Sequence, residues 1–157
     1  MILNYCGVRG QKAVDFLADV LGDSVLSLGE ARESGIRKLF SSNAYILTVP
    51  LYGGLSCTVL DDIKSTVFCG SKILYILFMT PSEAAARSAA EKIISAADFV
   101  LFGYESINPD KAGCVSAAGY MQLRCFSEYV RCYQPLNAKK DFFFPVRFLR
   151  AKPVPFS

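Results

Sequence analysis

The sequence predicts an α/β domain with a three-layer, doubly wound, five-stranded parallel sheet. Short apolar runs alternate along the chain with segments whose apolar residues recur at helical spacing. The chain is 52% hydrophobic with a mean hydropathy of +0.31, which fits strands covered by helices on both faces. Its 157 residues are enough to bury one core. We expect one domain over residues 1–135 and an irregular C-terminal arm over residues 136–157.

The first quarter of the chain predicts two strand-helix units. Residues 1–6 are a short apolar strand that runs into a turn marked by two glycines. Residues 12–21 carry apolar side chains at helical spacing and predict the first helix. Residues 24–28 then predict a short second strand, and the polar residues 30–40 predict a second helix.

The central part of the chain carries the clearest strand patterns. Residues 45–49 are β-branched and aromatic and predict a buried third strand that Pro50 ends. Ser56 can cap the third helix. Four apolar side chains are expected to be buried by that helix: Val59, Leu60, Ile63 and Val67. Residues 72–79 predict the fourth strand.

A helix start signal follows the fourth strand. Thr80 as N-cap, Pro81 at the first helical position and Glu83 at the third form a capping box reinforced by proline. An alanine-rich helix begins there. Residues 99–103 predict the fifth strand and residues 116–133 the last helix. Such alternation of strands and helices implies right-handed crossovers and a parallel sheet.

Composition argues against several classes of protein. The longest apolar run, residues 73–79, is far shorter than the roughly 20 residues of a spanning helix, so we expect no membrane span. The N-terminus has no basic leader, and we expect a cytoplasmic protein. Net charge is +3 with mostly scattered cations, so nucleic acid is not an expected partner. Six cysteines without a CxxC pair and the lack of histidine argue against a metal site.

Three loops are expected at the carboxyl ends of parallel strands, where ligands bind in open α/β sheets. The loop after the first strand combines glycines, a helix N-terminus with free N–H groups, and the charges of Arg9 and Lys12. Those are the components of a phosphate cradle. An ordinary strand-to-helix turn is the competing interpretation. Neither GxxxxGK[S/T] nor GxGxxG is present, which argues against classical nucleotide triphosphate and dinucleotide folds.

The loops after the third and fourth predicted strands lie on the same edge. Tyr52 stands between a proline-ended strand and the pair Gly53 and Gly54, where its ring can stack on a flat heterocycle or simply pack at the surface. The following loop presents another helix N-terminus at Thr80.

These loops and the order of elements resemble the flavodoxin-like fold, and more closely its NAD(P)H-dependent FMN reductase and flavoprotein branch. Residues 7–11, GVRGQ, are similar to the GSxRxxS-like phosphate loop of that branch, and residues 50–54, PLYGG, to its P-x-Y segment. The resemblance covers about residues 1–130. It implies strand order 2-1-3-4-5, bound FMN, NAD(P)H as a possible hydride donor, and a redox protein or quinone as a further partner.

The resemblance also implies which residues bind the flavin. The phosphate would be held by Arg9, Gly10, Gln11 and Lys12. The isoalloxazine would be bordered by Pro50, Leu51, Tyr52, Gly53 and Gly54. Its other side would be closed by Met79, Thr80, Pro81 and Ser82. Val8 and Gln11 replace the usual hydroxyl residues, and the loop after the fourth strand lacks a glycine pair, so a domain that has lost the cofactor is the second hypothesis.

Two further hypotheses come from the residues themselves. Cys6 faces a loop and a helix N-terminus, a setting that supports phosphoryl chemistry, although a Cx5R loop would need arginine where the chain has Lys12. A buried, inert thiol is the competing interpretation. The arm is rich in phenylalanine: Phe142, Phe143, Phe144, Phe148 and Phe156. Such side chains are costly to expose, so we expect the arm to pack on its own domain, on a second copy in a homo-oligomer, or on a partner. A partner contact would fit a non-catalytic interaction or assembly subunit.

Overall fold

The computed structural model describes residues 1–134, and all of its strand pairs are parallel. The strands are β1 (Ile2–Asn4), β2 (Val25–Leu26), β3 (Lys38–Ser41), β4 (Tyr45–Pro50), β5 (Val67–Gly70), β6 (Ile73–Met79) and β7 (Val100–Ile107). The α-helices are α1 (Gln11–Leu21), α2 (Leu28–Glu33), α3 (Cys57–Ser65), α4 (Glu83–Ala96) and α5 (Ala117–Arg131). A 3-10 turn over Val8–Gly10 precedes α1.

The main sheet has five strands in the order β2-β1-β4-β6-β7. The prediction of an α/β fold with a five-stranded parallel sheet is therefore confirmed, and the arrangement is compatible with a flavodoxin-like fold. The full strand numbers read 2-1-4-6-7 instead of 2-1-3-4-5 because β3 and β5 stand outside this sheet. Counted among themselves in chain order, the five main strands run 2-1-3-4-5.

Helices cover both faces of the main sheet, as the three-layer prediction requires. The strand β6 shows why its sequence is apolar throughout. One face of the strand packs toward α2, α3 and α4 with Leu74, Ile76 and Phe78. The other face packs toward α1 and α5 with Tyr75, Leu77 and Met79. Because both faces of the strand are buried, apolar side chains are favoured along its whole length.

The predicted helix over residues 30–40 is wrong in its second half. Helix α2 ends at Glu33, and Gly35 then adopts φ +86°, a left-handed conformation that turns the chain. Residues Lys38–Ser41 form β3, whose alternating exposure is that of a strand with one face buried. Val67, expected inside the third helix, lies in β5 with 57% of its surface exposed. The pairing of β3 with β5 overrides the helical propensity of the segment.

The predicted capping box after the fourth strand is also wrong. Ser82, not Thr80, is the N-cap, and its Oγ accepts the N–H of Ala85 at 3.1 Å. The Oγ1 of Thr80 instead accepts the N–H of Ser82, so this residue closes a local turn before the helix. Pro81 lies in that turn, outside the helix. Glu83 becomes the first helical residue.

The small sheet pairs β3 and β5 in parallel. Along the chain, each of these strands comes shortly before a strand of the main sheet. Three residues separate β3 from β4, and two separate β5 from β6.

The predicted C-terminal arm over residues 136–157 and its phenylalanines lie outside the described residues. Within residues 1–134, no helix has the length and apolar character needed to cross a bilayer.

Candidate functional site

The loops after β1 and β4 leave the sheet at its topological switch point. The strands β1 and β4 are neighbours, but the chain continues from β1 to β2 on one side and from β4 toward β6 on the other. The two loops therefore diverge at the carboxyl edge of the sheet, and such a switch point is where open α/β sheets bind ligands.

Asn4 holds the first loop against the sheet. Its Oδ1 accepts the N–H of Cys6 at 2.9 Å and the hydroxyl of Thr48 at 2.7 Å, while its Nδ2 donates to the carbonyl of Cys6. Gly10 is buried against the same cysteine, and a Cβ at position 10 would overlap the Cβ of Cys6. The close packing of the loop on itself accounts for this glycine, and no ligand is needed to explain it.

Arg9 and Tyr52 join the first two loops to the loop after β7. The Arg9 guanidinium lies over the Tyr52 ring, 3.8 Å from the ring centroid. Its Nε and Nη2 donate to the carbonyl of Pro109 at 3.1 and 3.0 Å, and the Tyr52 hydroxyl donates to Asn108 Oδ1 at 2.9 Å. We name these four residues the Arg9–Tyr52 clasp. Burial raises the pKa of Tyr52, and the arginine partly opposes that shift.

The sequence did not indicate that the loop after β7 belongs to this edge. Its Asn-Pro-Asp segment indicated only a break in the chain. In the structure, Asp110 Oδ1 accepts the N–H groups of Ala112 and Cys114 and so shapes the loop. Gly113 lies so near the carbonyl of Val8 that an added Cβ would be 3.0 Å from its oxygen. The loop is therefore packed directly on the turn before α1.

The start of α1 presents Gln11 and Lys12 at the surface. Gln11 donates through Nε2 to Asp15 at 2.7 Å, and the Lys12 ammonium is 3.5 Å from Cys114 Sγ. Helix α1 has no acidic residue in its first turn. Lys12 thus adds charge to the positive end of the helix dipole, and the first acidic residue of α1, Asp15, lies one turn further along and is hydrogen-bonded to Gln11.

The second loop divides into a buried and an open part. Pro50 ends β4 in register with Met79, and the N–H of Leu51 donates to the Met79 carbonyl at 3.0 Å. Leu51 is part of the core. Gly53 and Gly54 have φ values of +86° and +99°, and a Cβ at either would meet no atom within 4 Å. The glycine pair is exposed, and Tyr52 is exposed apart from its contacts with Arg9 and Asn108.

Half of the third predicted group is internal. Met79 and Thr80 are buried, and Met79 Cε lies beneath Gly10. Pro81 and Ser82 are exposed, but the Ser82 hydroxyl already caps α4. The structure therefore brings Arg9 and Tyr52 into contact and places the third group outside that contact.

Cys6 lacks the environment of a nucleophile. The residue is 6% exposed and packs in the core between the sheet, α1 and α5. Burial raises the pKa of its thiol to about 12, although a hydrogen bond with Thr48 acts in the opposite direction. Since the thiolate is the reactive form, this is the reverse of the activation that phosphoryl chemistry requires. The structure supports the buried, inert thiol.

A second polar cluster joins the end of β1 to α2 and α3. The Tyr5 hydroxyl donates to Asp62 Oδ2 at 2.7 Å, and Arg32 Nη1 lies 3.2 Å from Asp62 Oδ1. Burial, and then the neighbouring carboxylate, raise the pKa of Tyr5 well above its usual range. The cluster ties α2 and α3 to the end of β1, so it stabilises the base of the first loop.

Two cavities of the described chain lie away from the clasp. A cavity of about 370 Å³ is bordered by α3 and α4, and another of about 410 Å³ by α1 and α5. Neither is lined by residues of the clasp. Within residues 1–134, no cluster of three or more cysteine, aspartate or glutamate side chains is placed to bind a metal.

Comparisons with protein-family models, with curated proteins and with solved structures found no match to this chain.

Proposed function

We propose that the chain binds FMN at the carboxyl edge of its main sheet and acts as a flavodoxin-like oxidoreductase or electron-transfer protein. One observation carries the proposal: a flat cation, the Arg9 guanidinium, lies on the face of Tyr52 at the topological switch point. A planar ring can use the same aromatic face.

The phosphate side of the proposed site is the start of α1. Lys12 is exposed there, Arg9 is half-buried, and the first helical turn carries no acidic residue. The helix dipole favours an anion at this position. The N–H groups of Gly10 and Gln11, expected to be free, already donate to the carbonyls of Gly7 and Val8, so the side-chain charges would carry most of the attraction. Of the predicted phosphate residues, these two cations support the proposal, whereas Gly10 serves the packing of the loop.

The ring side of the proposed site is the Tyr52 loop. Gly53 and Gly54 present backbone to open space, which allows a flat ligand to approach closely. Leu51 anchors this loop to β6 through its N–H. The ring would thus rest on a segment whose base is held by the core.

Binding in this site requires the clasp to open. Arg9 would exchange the Tyr52 face and the Pro109 carbonyl for a phosphate group. A phosphate group offers the guanidinium an opposite charge and two acceptor oxygens, whereas the Pro109 carbonyl offers one uncharged acceptor, which favours the exchange. The cofactor, when bound, supplies the redox chemistry, with NAD(P)H as donor and a redox protein or quinone as acceptor.

Titration with FMN and with riboflavin, which lacks the phosphate, tests the proposal. We expect flavin fluorescence to change on binding and FMN to bind about tenfold or more tightly than riboflavin. Arg9→Met should remove most of that difference. Arg124→Met, which changes an exposed arginine on α5, is the matched control and should leave it unchanged. Failure of the wild-type chain to bind either flavin would overturn the proposal.

A non-catalytic interaction subunit that has lost the cofactor is the second candidate. The clasp favours it, because the protein's own groups already satisfy Arg9: two N–H groups have the Pro109 carbonyl and the charge has the Tyr52 ring. For this candidate, neither flavin binds, and wild type and Arg9→Met give the same flat titration.

A further inference from the structure

The small sheet has an outer edge on β3 that is unpaired within residues 1–134. The N–H of Val67 donates to the carbonyl of Arg37, and the N–H of Ser71 donates to that of Ser41. In a parallel pair, successive residues of a strand direct their backbone groups to opposite sides. The N–H and C=O groups of Lys38 and Phe40 therefore point away from β5.

The exposed face of the small sheet is apolar beside that edge. Phe40 is 66% exposed and Val67 57% exposed, and both stand on the outer face with Lys38. The Phe40 ring lies across Gly70, where a Cβ would be 3.1 Å from Cε2. Natural proteins blunt strand edges, and an uncovered edge with large apolar side chains is a template for a further strand.

The opposite edge of the sheet, on β5, is less suited to receive a strand. The Phe68 carbonyl accepts a hydrogen bond from Lys72 Nζ at 2.9 Å. Gly70 has φ +82°, which departs from extended geometry at the end of the strand. A pairing strand would have to displace the lysine and match an irregular backbone. The β3 edge has neither obstacle.

The charged side chains of the small sheet indicate which kind of partner this edge can bind. Residues 36–41 and 66–72 contain three charged side chains, and all are cations: Arg37, Lys38 and Lys72. A second copy of this chain would bring like charges together, which opposes binding, whereas a segment with acidic residues would be attracted.

We propose that the β3 edge binds an extended acidic peptide segment of a partner protein by adding a strand to the small sheet. Backbone groups of Lys38 and Phe40 would pair with the segment. On the exposed face, Lys38 would face an acidic side chain and Phe40 an aromatic or β-branched one, two residues apart in the segment. The site lies on other loops and strands than the proposed flavin site and does not depend on it.

Amide hydrogen exchange on the whole chain tests the proposal. The probe is a short capped peptide that alternates threonine with glutamate and phenylalanine, and the comparison peptide carries lysine for glutamate. We expect the acidic probe to slow exchange of the Lys38 and Phe40 N–H groups about tenfold or more. Lys38→Glu should abolish that protection, and Arg124→Glu, on α5, should not.

Three outcomes would overturn the proposal. The first is unchanged exchange at both N–H groups with the acidic probe. The second is equal protection by the lysine peptide, which would remove the argument from charge. The third is protection that appears without peptide and grows with protein concentration, which would assign the edge to a second copy of the chain.

Discussion

The guanidinium of Arg9 lies over the ring of Tyr52, 3.8 Å from its centroid, and so connects the loops after β1 and β4. The same arginine reaches the Pro109 carbonyl, which adds the loop after β7 to the contact. Three loops that are far apart in sequence are thereby held at one edge of the sheet. The clasp is both the feature that a flavin would have to open and a source of stability for the free chain.

Replacing Arg9 by methionine should destabilise the chain by about 1–2 kcal/mol. The variant loses a partly exposed cation–π contact of about 0.5–1 kcal/mol and a pair of hydrogen bonds to one carbonyl, which together contribute about 1 kcal/mol. Urea unfolding measures the difference. Arg124→Met is the control and should change the free energy of unfolding by less than about 0.5 kcal/mol. Equal stability of the two variants would show that the clasp does not form in solution.

Gly70→Ala should be far more damaging than Gly53→Ala. Both glycines have a positive φ, +82° and +86°, so both substitutions introduce the roughly 1–2 kcal/mol backbone strain of a left-handed residue. At Gly70 the new Cβ would also overlap the carbonyl of Ser41, whereas at Gly53 it would meet nothing. We expect an additional loss of about 2 kcal/mol or more for Gly70→Ala in chemical unfolding. Similar losses would argue against the close pairing of β3 with β5.

Asp62→Ala should cost about 3 kcal/mol of stability. Asp62 is 8% exposed and accepts from both Tyr5 and Arg32, and removing one partner of a buried ion pair leaves the other charge uncompensated. Asp61→Ala is a matched control, since Asp61 is exposed one residue earlier in the same helix. Thermal and urea unfolding should separate the two variants. A loss confined to Asp61→Ala would contradict the cluster.

The cysteines should differ in their reaction with iodoacetamide. Four are exposed: Cys57, Cys114, Cys125 and Cys132. These should be alkylated in the native chain at pH 8, while Cys6 should react only after denaturation, because it is buried and its pKa is raised to about 12. Peptide mass spectrometry identifies the modified positions. Rapid alkylation of Cys6 in the folded chain would contradict this prediction and would support the hypothesis of a reactive thiol.

Stability should fall as the pH rises above about 9. The Cys6 thiol has its pKa raised from 9.0 to about 12 in the folded chain, so the folded state keeps a proton that the unfolded state releases. The contribution is fully present below pH 9 and is lost between pH 9 and 12. One such group accounts for about 1.4 kcal/mol between pH 8 and 10. Between pH 8 and 10, the Cys6→Ala variant should therefore lose about 1.4 kcal/mol less stability than the wild type. Cys132→Ala, at an exposed position, should show the same pH dependence as the wild type.

Local patterns account for most of the main sheet. The apolar run of β6 and the β-branched run of β4 each predicted a buried strand because strands covered on both faces have no polar side. The helices α1, α3 and α5 follow from apolar side chains at helical spacing. The error at residues 30–40 has a physical cause: β3 exists only through its pairing with β5, a contact that no window of sequence contains.

The candidate site was predictable only in part. Arg9, Lys12 and Tyr52 were expected at one edge, because parallel strands direct their following loops to the same end of a sheet. That Arg9 stacks on Tyr52 and bonds to Pro109 was not predictable. The contact depends on Pro109, which lies a hundred residues further along the chain. The sequence around Pro109 predicted only a break in the chain.

The sequence by itself determined the fold class, the parallel sheet and the edge at which the loops meet, since these depend on periodicity and on the handedness of crossovers. The tertiary structure alone decided that Cys6 is an inert core thiol, that Arg9 packs on Tyr52 in the clasp and that the outer edge of β3 is unpaired within residues 1–134. Burial, side-chain contacts and strand pairing across the chain are properties of packing, and packing is set by residues that are distant in sequence.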